Sequence, residues 1–240
     1  MPELSLADLV ANRTLSPAMA ATLSIAAEER RSFLFVAIPR VAGKTTTMMA
    51  TLDHAATGTA LHDLSLDSGP SLGIPSAPDG GYLVMHEIAE TPFPHYLWNE
   101  PVRQVFAALR DSDLRLATAL HAGSVEEAFG VIVDSNGVPA EEAAQIDVAT
   151  YIRSLGPDWR NPTRRVVESM QEVIGVEGGR VRTSELHRWD EQSDRFETVN
   201  PPQRVARDAA LVSRRADELA GSGGGASIAD SAGLARRGGA

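Results

Sequence analysis

The 240-residue sequence predicts an α/β protein: a mostly parallel sheet flanked by helices, closed by a C-terminal antiparallel β-ribbon. Three observations carry this. Short apolar runs, SFLFVAI, YLVMH and RLATAL, alternate with stretches patterned as helix. Those runs are apolar at consecutive positions, as in strands covered on both faces. From Thr163 the texture changes to long β-rich segments joined by Glu177-Gly178-Gly179, a hairpin turn by composition.

The elements follow in order. Ser5 with Asp8 has the spacing of a capped helix start, and Ser16-Pro17 places proline at a first helical position. PAMAATLSIAAEERR is then an Ala-rich helix running into the strand SFLFVAI. Beyond Gly43-Lys44-Thr45, TTMMATLDHAA reads as a helix ended by Gly58. Residues 65–81 hold so much Gly, Pro and Ser that they read as a loop. The strand YLVMH (82–86), a helix around NEPVRQVFAALRD and the strand RLATAL (115–120) come next. Helical patterns cover Ser124 to Asn136 and Glu141 to Gln145, with a strand near DVATYIR. RRVVESMQEVIGV and RVRTSELHRW pair as the ribbon, RFETV adds a short strand, and Gln203 to Leu219 reads as a helix behind Pro201-Pro202. The domain organisation expected is therefore a helical lead-in (1–31), a core domain (32–199), a C-terminal helix (200–219) and a Gly-rich flexible tail (220–240).

Composition excludes several classes. A formal charge of −10, with the 22 Lys and Arg not gathered into a stripe, argues against a nucleic-acid partner. With no cysteine, disulfides and thiolate metal sites are excluded. No apolar run approaches the roughly 20 residues of a membrane helix. MPELSLADLV lacks the basic start and apolar core of a signal peptide, so the expected location is cytoplasmic.

The chemistry concentrates in FVAIPRVAGKTTT (35–47). Its end matches the phosphate-loop pattern G-x-x-x-x-G-K-[ST], with Ile38 in place of the first glycine. In such a loop, backbone N–H groups and a helix N-terminus surround a phosphate, the Lys reaches its oxygens, and the next hydroxyl ligates Mg²⁺. That makes Pro39, Arg40, Val41, Ala42, Gly43, Lys44, Thr45 and Thr46 the candidate nucleotide-binding residues. Taken by itself, Gly-Lys-Thr also fits a surface lysine at a helix start. Ile38 and Val41, both β-branched, resist the positive φ that glycine allows. Glu87 ends the strand YLVMH, where an acidic residue holds Mg²⁺ or polarises water. His121 ends RLATAL, and in a parallel sheet it shares an edge with Lys44 and Glu87, the edge where such sheets bind ligands. Each, alone, reads equally as structure. His54, His62, His86, His95 and His187 show no metal-ligand spacing, and no zinc site is read.

These residues, in this order, resemble the ATPases of type II and type IV secretion and of type IV pili, with the Flp, or tight-adherence, branch nearest. LSLADLVANRTLSPAMAATLSIAAEERRSFLFVA is similar to the segment leading into that family's phosphate loop. GKTTTMMATL resembles the loop's end, YLVMHEI the Walker B strand, and LATALHAGSVEEAFGVIV the histidine box. AAQIDVATYIR and RRVVESMQEVIGVEGGRVRTSELHRWDEQSDRFE resemble the strand and ribbon that close the domain. The resemblance implies a RecA-like P-loop NTPase fold over roughly residues 5–199. It implies ATP and Mg²⁺ as cofactors, Lys44 on phosphate, Thr45 and Glu87 on Mg²⁺, and Glu87 and His121 as catalytic residues. It also implies assembly with itself or with secretion or pilus ATPase subunits, and an inner-membrane platform protein as a further partner at the inner face of the cell membrane. The sequence departs from the family at Ile38, Val41, His86 and Ala89, and its acidic segment is reduced to LHDLSLD, where Asp63 or Asp67 would substitute. An ATP-hydrolysing subunit and a non-hydrolysing structural or regulatory one both remain expectations, beside an unrelated α/β protein.

Smaller features carry two readings each. TPFPHYLWNEP fits a docking loop or, more simply, aromatics packed on their own core. Arg103 and the pair Arg164-Arg165 fit charge offered to a neighbouring subunit or a solvated face. Trp189 and Phe196 read as core.

Overall fold

The computed structural model describes residues 4–38, 41–76, 80–158 and 160–222. Both N-terminal caps form. The Asp8 N–H donates to Ser5 Oγ at 3.2 Å and the Ser5 N–H to Asp8 Oδ2 at 2.9 Å, which closes the capping box at the head of α1 (Leu6–Ala11). Ser16 Oγ accepts from the Met19 N–H at 3.1 Å and starts α2 (Pro17–Glu28).

The strands are β1 (Phe33–Ile38), β2 (Leu61–Asp63), β3 (Gly81–Ile88), β4 (Tyr96–Leu97), β5 (Leu114–Leu120), β6 (Val148–Leu155), β7 (Arg164–Glu177), β8 (Arg180–Asp190) and β9 (Arg195–Thr198). Among the described residues they form one sheet in the order β2-β3-β5-β1-β6-β7-β8-β9, with β4 beside β3. Pairing is parallel from β2 to β6 and antiparallel from β6 to β9, a mixed α/β fold of the kind the sequence predicts. Because β5 lies between β1 and β3, the carboxyl ends of all three meet at one edge.

Helices cover both faces. Leu6, Leu9, Met19 and Leu23, together with Met48 and Leu52 of α3 (Lys44–Leu52), pack on Phe33, Phe35, Tyr82 and Val84. On the opposite face α4 (Glu100–Arg110) buries Val102, Val105, Phe106 and Leu109, a stripe at i, i+3, i+4 and i+7, against Leu34, Val36, Leu83 and Met85. α5 (Val125–Gly130) and α6 (Ala140–Ala143) complete that layer.

Several boundaries differ from the sequence reading. α3 ends at Leu52, short of Gly58, where His54 turns back to bond Ser24 Oγ at 3.0 Å. The pattern from Ser124 to Asn136 divides into α5 and a π-helical segment, Val131–Ser135. The expected loop 65–81 contains a short 3-10 turn, Leu66–Ser68, and gives way to β3 at Gly81. α7 (Ala209–Ser222) begins six residues later than Gln203, because the Gln203 and Arg204 N–H groups donate to the buried Glu172 carboxylate at 2.6 and 3.0 Å. Asp208 Oδ1 then accepts from the Ala210 and Leu211 N–H groups and opens the helix. Most of the Gly-rich tail lies outside the described residues. No helix among the described residues is long and apolar enough to cross a membrane.

Candidate functional site

Three elements distant in sequence deliver charged or polar groups to one point. Lys44 is the first residue of α3, and its side chain is only 6% exposed. Glu87 comes from β3 through an irregularity. Met85 pairs with Thr118 and Ile88 with Leu120, so three steps on β3 oppose two on β5, a bulge at His86-Glu87. Strict alternation would place Glu87 with Leu83 and Met85; the bulge frees it to meet Lys44 instead. His121 follows the last residue of β5.

The contacts are close. Glu87 Oε2 lies 3.7 Å from Lys44 Nζ, and His121 Nε2 lies 2.9 Å from Glu87 Oε1. Lys44 Nζ is 3.2 Å from both ring nitrogens of His121. His121 Nδ1 is also 3.1 Å from the Ala37 carbonyl, which can only accept, so a hydrogen bond there is donated by Nδ1–H. Nε2 approaches Glu87 Oε1 in distance but off the direction of a hydrogen bond, and this buried oxygen has no hydrogen-bond partner. Such an oxygen lacks a donor, which a ligand or a water would bring.

The loop ahead of Lys44 is strained. Gly43 sits at φ 96°, and Val41, β-branched and 62% exposed, sits at φ 66°. A left-handed conformation at a β-branched residue costs about 1–2 kcal/mol. Arg165 on β7 braces it, its Nε–H donating to the Val41 carbonyl at 2.9 Å. A Cβ at Gly43 would come within 3.2 Å of Arg165 Cδ, so this glycine answers to both its φ and that close approach.

A cavity of about 720 Å³ opens over this cluster, lined by Val41 to Thr47, Glu87, His121, Tyr96, Asn12, Thr14, Arg164 and Arg165, among others. It falls within the 300–1,000 Å³ range of small-ligand sites. A larger groove of about 1100 Å³ lies between α5 and the β7–β8 ribbon and touches none of the sequence-predicted site residues.

Most predicted residues therefore converge. Lys44, Glu87 and His121 touch one another; Val41, Ala42, Gly43, Thr45 and Thr46 line the same cavity, with Thr45 and Thr46 exposed. Pro39 and Arg40 lie outside the described residues. Asp63, the expected acidic substitute, is held instead by His86 at 2.8 Å and faces His95. Arg165 serves its own chain's loop, which its place in a long β-rich segment gave no means of seeing. Arg164 is occupied by Asp194 Oδ1 at 2.7 Å and by the Trp189 ring, while Arg103 is tied to Glu100 and the Asn136 carbonyl. Of the aromatic segment, Leu97 is buried and Trp98 packs on the core, whereas Phe93 is 56% exposed.

The donor set suits a phosphate with a divalent ion. An ammonium at a helix head meets phosphate oxygens, and an exposed Thr45 hydroxyl with a buried carboxylate offers oxygen ligands for Mg²⁺. A phosphate entering there competes with Glu87 for Lys44.

No family model matches this chain, and no curated protein matches it. Among solved structures, it is similar to the VirB11 ATPase of the Brucella suis type IV secretion system, a structure in complex with sulphate. Identity is 14% and the TM-score 0.43. The match covers 62% of this chain and 52% of that one, so it spans about half of the VirB11 chain.

Proposed function

We propose that this chain binds ATP with Mg²⁺ at the Lys44 loop, as a RecA-like P-loop domain, and serves as a subunit of a secretion or pilus-assembly machine of the type II/IV kind. The observation that carries the reading is the meeting of Lys44, Glu87 and His121 beneath a positive-φ loop, from a helix head and two strand ends spread over 77 residues of sequence. The machine is supplied by the sequence resemblance. Lys44 neutralises phosphate charge, Thr45 and Glu87 hold the cation, and His121 stands where it can bond a terminal phosphate oxygen or a water beside it. Mg²⁺, when bound, supplies charge stabilisation of the phosphates. Arg165 keeps the loop in place from its own ribbon. The chain acts in the cytoplasm, reaching the inner face of the membrane through its partners, with copies of itself or related ATPase subunits beside it.

A second reading, a non-hydrolysing subunit, is favoured by Val41. It holds a strained φ and an exposed side chain in the loop that would surround the phosphate, beside the family departures at Ile38 and Ala89. Phosphate release from MgATP separates the two. Turnover that Glu87→Gln abolishes supports hydrolysis; binding without turnover supports the second reading; neither binding nor turnover overturns both.

A further inference from the structure

We propose that Asp63, His86 and His95 form a binding site for a transition-class divalent cation, with Zn²⁺ as its representative. The three come from separate places: the last residue of β2, the bulge of β3, and the segment just before β4. Each turns a ligand atom to one point, all within 4.8 Å of one another. His86 Nε2 is 2.8 Å from Asp63 Oδ1, His95 Nδ1 is 3.6 Å from Asp63 Oδ2, and the two rings meet edge-on with centroids 5.3 Å apart. A tetrahedral ion with bonds of about 2.0–2.1 Å holds its ligand atoms about 3.3 Å apart. The observed spacings bracket that value, so binding asks for shifts of about an ångström in surface side chains.

The donors choose the metal. Two imidazoles and one carboxylate suit Zn²⁺, Co²⁺ or Ni²⁺, whereas Mg²⁺ and Ca²⁺ prefer oxygen alone. His95 Nδ1 also lies 3.1 Å from the Leu64 carbonyl. Ligation through Nδ1 exchanges that hydrogen bond for a metal bond and moves the ring proton to Nε2. All three side chains are between 35% and 56% exposed, which lets ions enter and leaves room for water to complete the shell. A bound ion would clip the β2 edge, β3 and β4 together beside Glu87, whose backbone pairs with Tyr96. The site is independent of the Lys44 cavity and of the function proposed for it. Sequence spacing does not reveal it, because the ligands are 23 and 9 positions apart on three elements.

Full-length protein without a polyhistidine tag, stripped with a chelator, would be titrated with Zn²⁺ by calorimetry and with Co²⁺ by visible absorption. Expected are one ion per chain and a Co²⁺ ligand-field band. His95→Asn and Asp63→Asn should each weaken binding by about tenfold or more. No heat and no band at millimolar metal overturn the proposal and leave Asp63 and His86 a hydrogen-bonded pair only. So does binding that survives the double variant His86→Asn/His95→Asn. Circular dichroism confirms that each variant is folded, and the wild-type Co²⁺ spectrum decides the matter if one is not.

Discussion

His86 and Glu87 are neighbours on one strand, and the β3 bulge sends them into polar sites of opposite character. Glu87 enters a cluster with Lys44 where neither side chain is more than 8% exposed. His86 enters one with Asp63, where exposures are 35% and 56%. In the first, the Glu87 carboxylate takes its countercharge from Lys44, since neither side chain has water to fall back on. In the second, solvent screens the pair and either member can leave cheaply. A polar contact thus holds a site together where it is buried and leaves it free for a ligand where it is exposed.

The largest effect tests the buried side. Lys44→Met leaves the Glu87 carboxylate buried without its cation and should cost about 3 kcal/mol or more in urea unfolding. A loss below about 1 kcal/mol would mean the pair is screened as a surface pair is.

His187 isolates burial from pairing. It is 6% exposed, with Thr22 Oγ1 at 3.2 Å and Thr198 Oγ1 at 3.3 Å as hydrogen-bond partners. Burial alone pushes its pKa from 6.5 down to about 4. The unfolded chain therefore takes up this proton first as pH falls. The stability His187 contributes is complete above pH 6.5 and is lost as pH drops through about 4, by roughly 3 kcal/mol. His187→Gln should flatten that part of the stability–pH profile; an unchanged slope would assign it elsewhere.

The exposed side should yield less. Asp63→Asn in metal-free protein is expected to change stability by under about 1 kcal/mol. A larger loss would show that Asp63 supports the fold and would erase the contrast with Glu87. The smallest effect concerns the loop. Val41→Gly removes about 1–2 kcal/mol of strain and gives back roughly half of it as unfolded-chain entropy, for a net gain of about 0.5–1 kcal/mol in thermal unfolding. A loss would mean that the Val41 side chain makes a contact worth more than its φ costs.

Much of this was legible in the residues. The strand, loop and helix around Lys44 follow from an apolar run, Gly43 and a helical pattern, and the ribbon from its β-rich composition and Gly-Gly turn. Glu87 and His121 both lie near the carboxyl ends of parallel strands, where polar residues closing apolar runs share an edge, but the bulge that turns Glu87 to Lys44 leaves no mark in the sequence. What stayed hidden depends on contacts between distant segments. The late start of α7 is set by Glu172, which captures the N–H groups of Gln203 and Arg204. Arg165 reaches Val41 across 124 positions, and no local pattern marks it. The His86–Asp63–His95 cluster exists only because a bulge and two parallel pairings bring β2, β3 and the segment before β4 together.

The central claim is that Lys44 heads a phosphate site. It is tested most directly by titrating purified protein with a fluorescent ATP analogue and Mg²⁺, alongside Lys44→Ala. Micromolar binding is expected, weakened tenfold or more in the variant, roughly 1.4 kcal/mol. Equal binding by both proteins, or none by either, would contradict that claim.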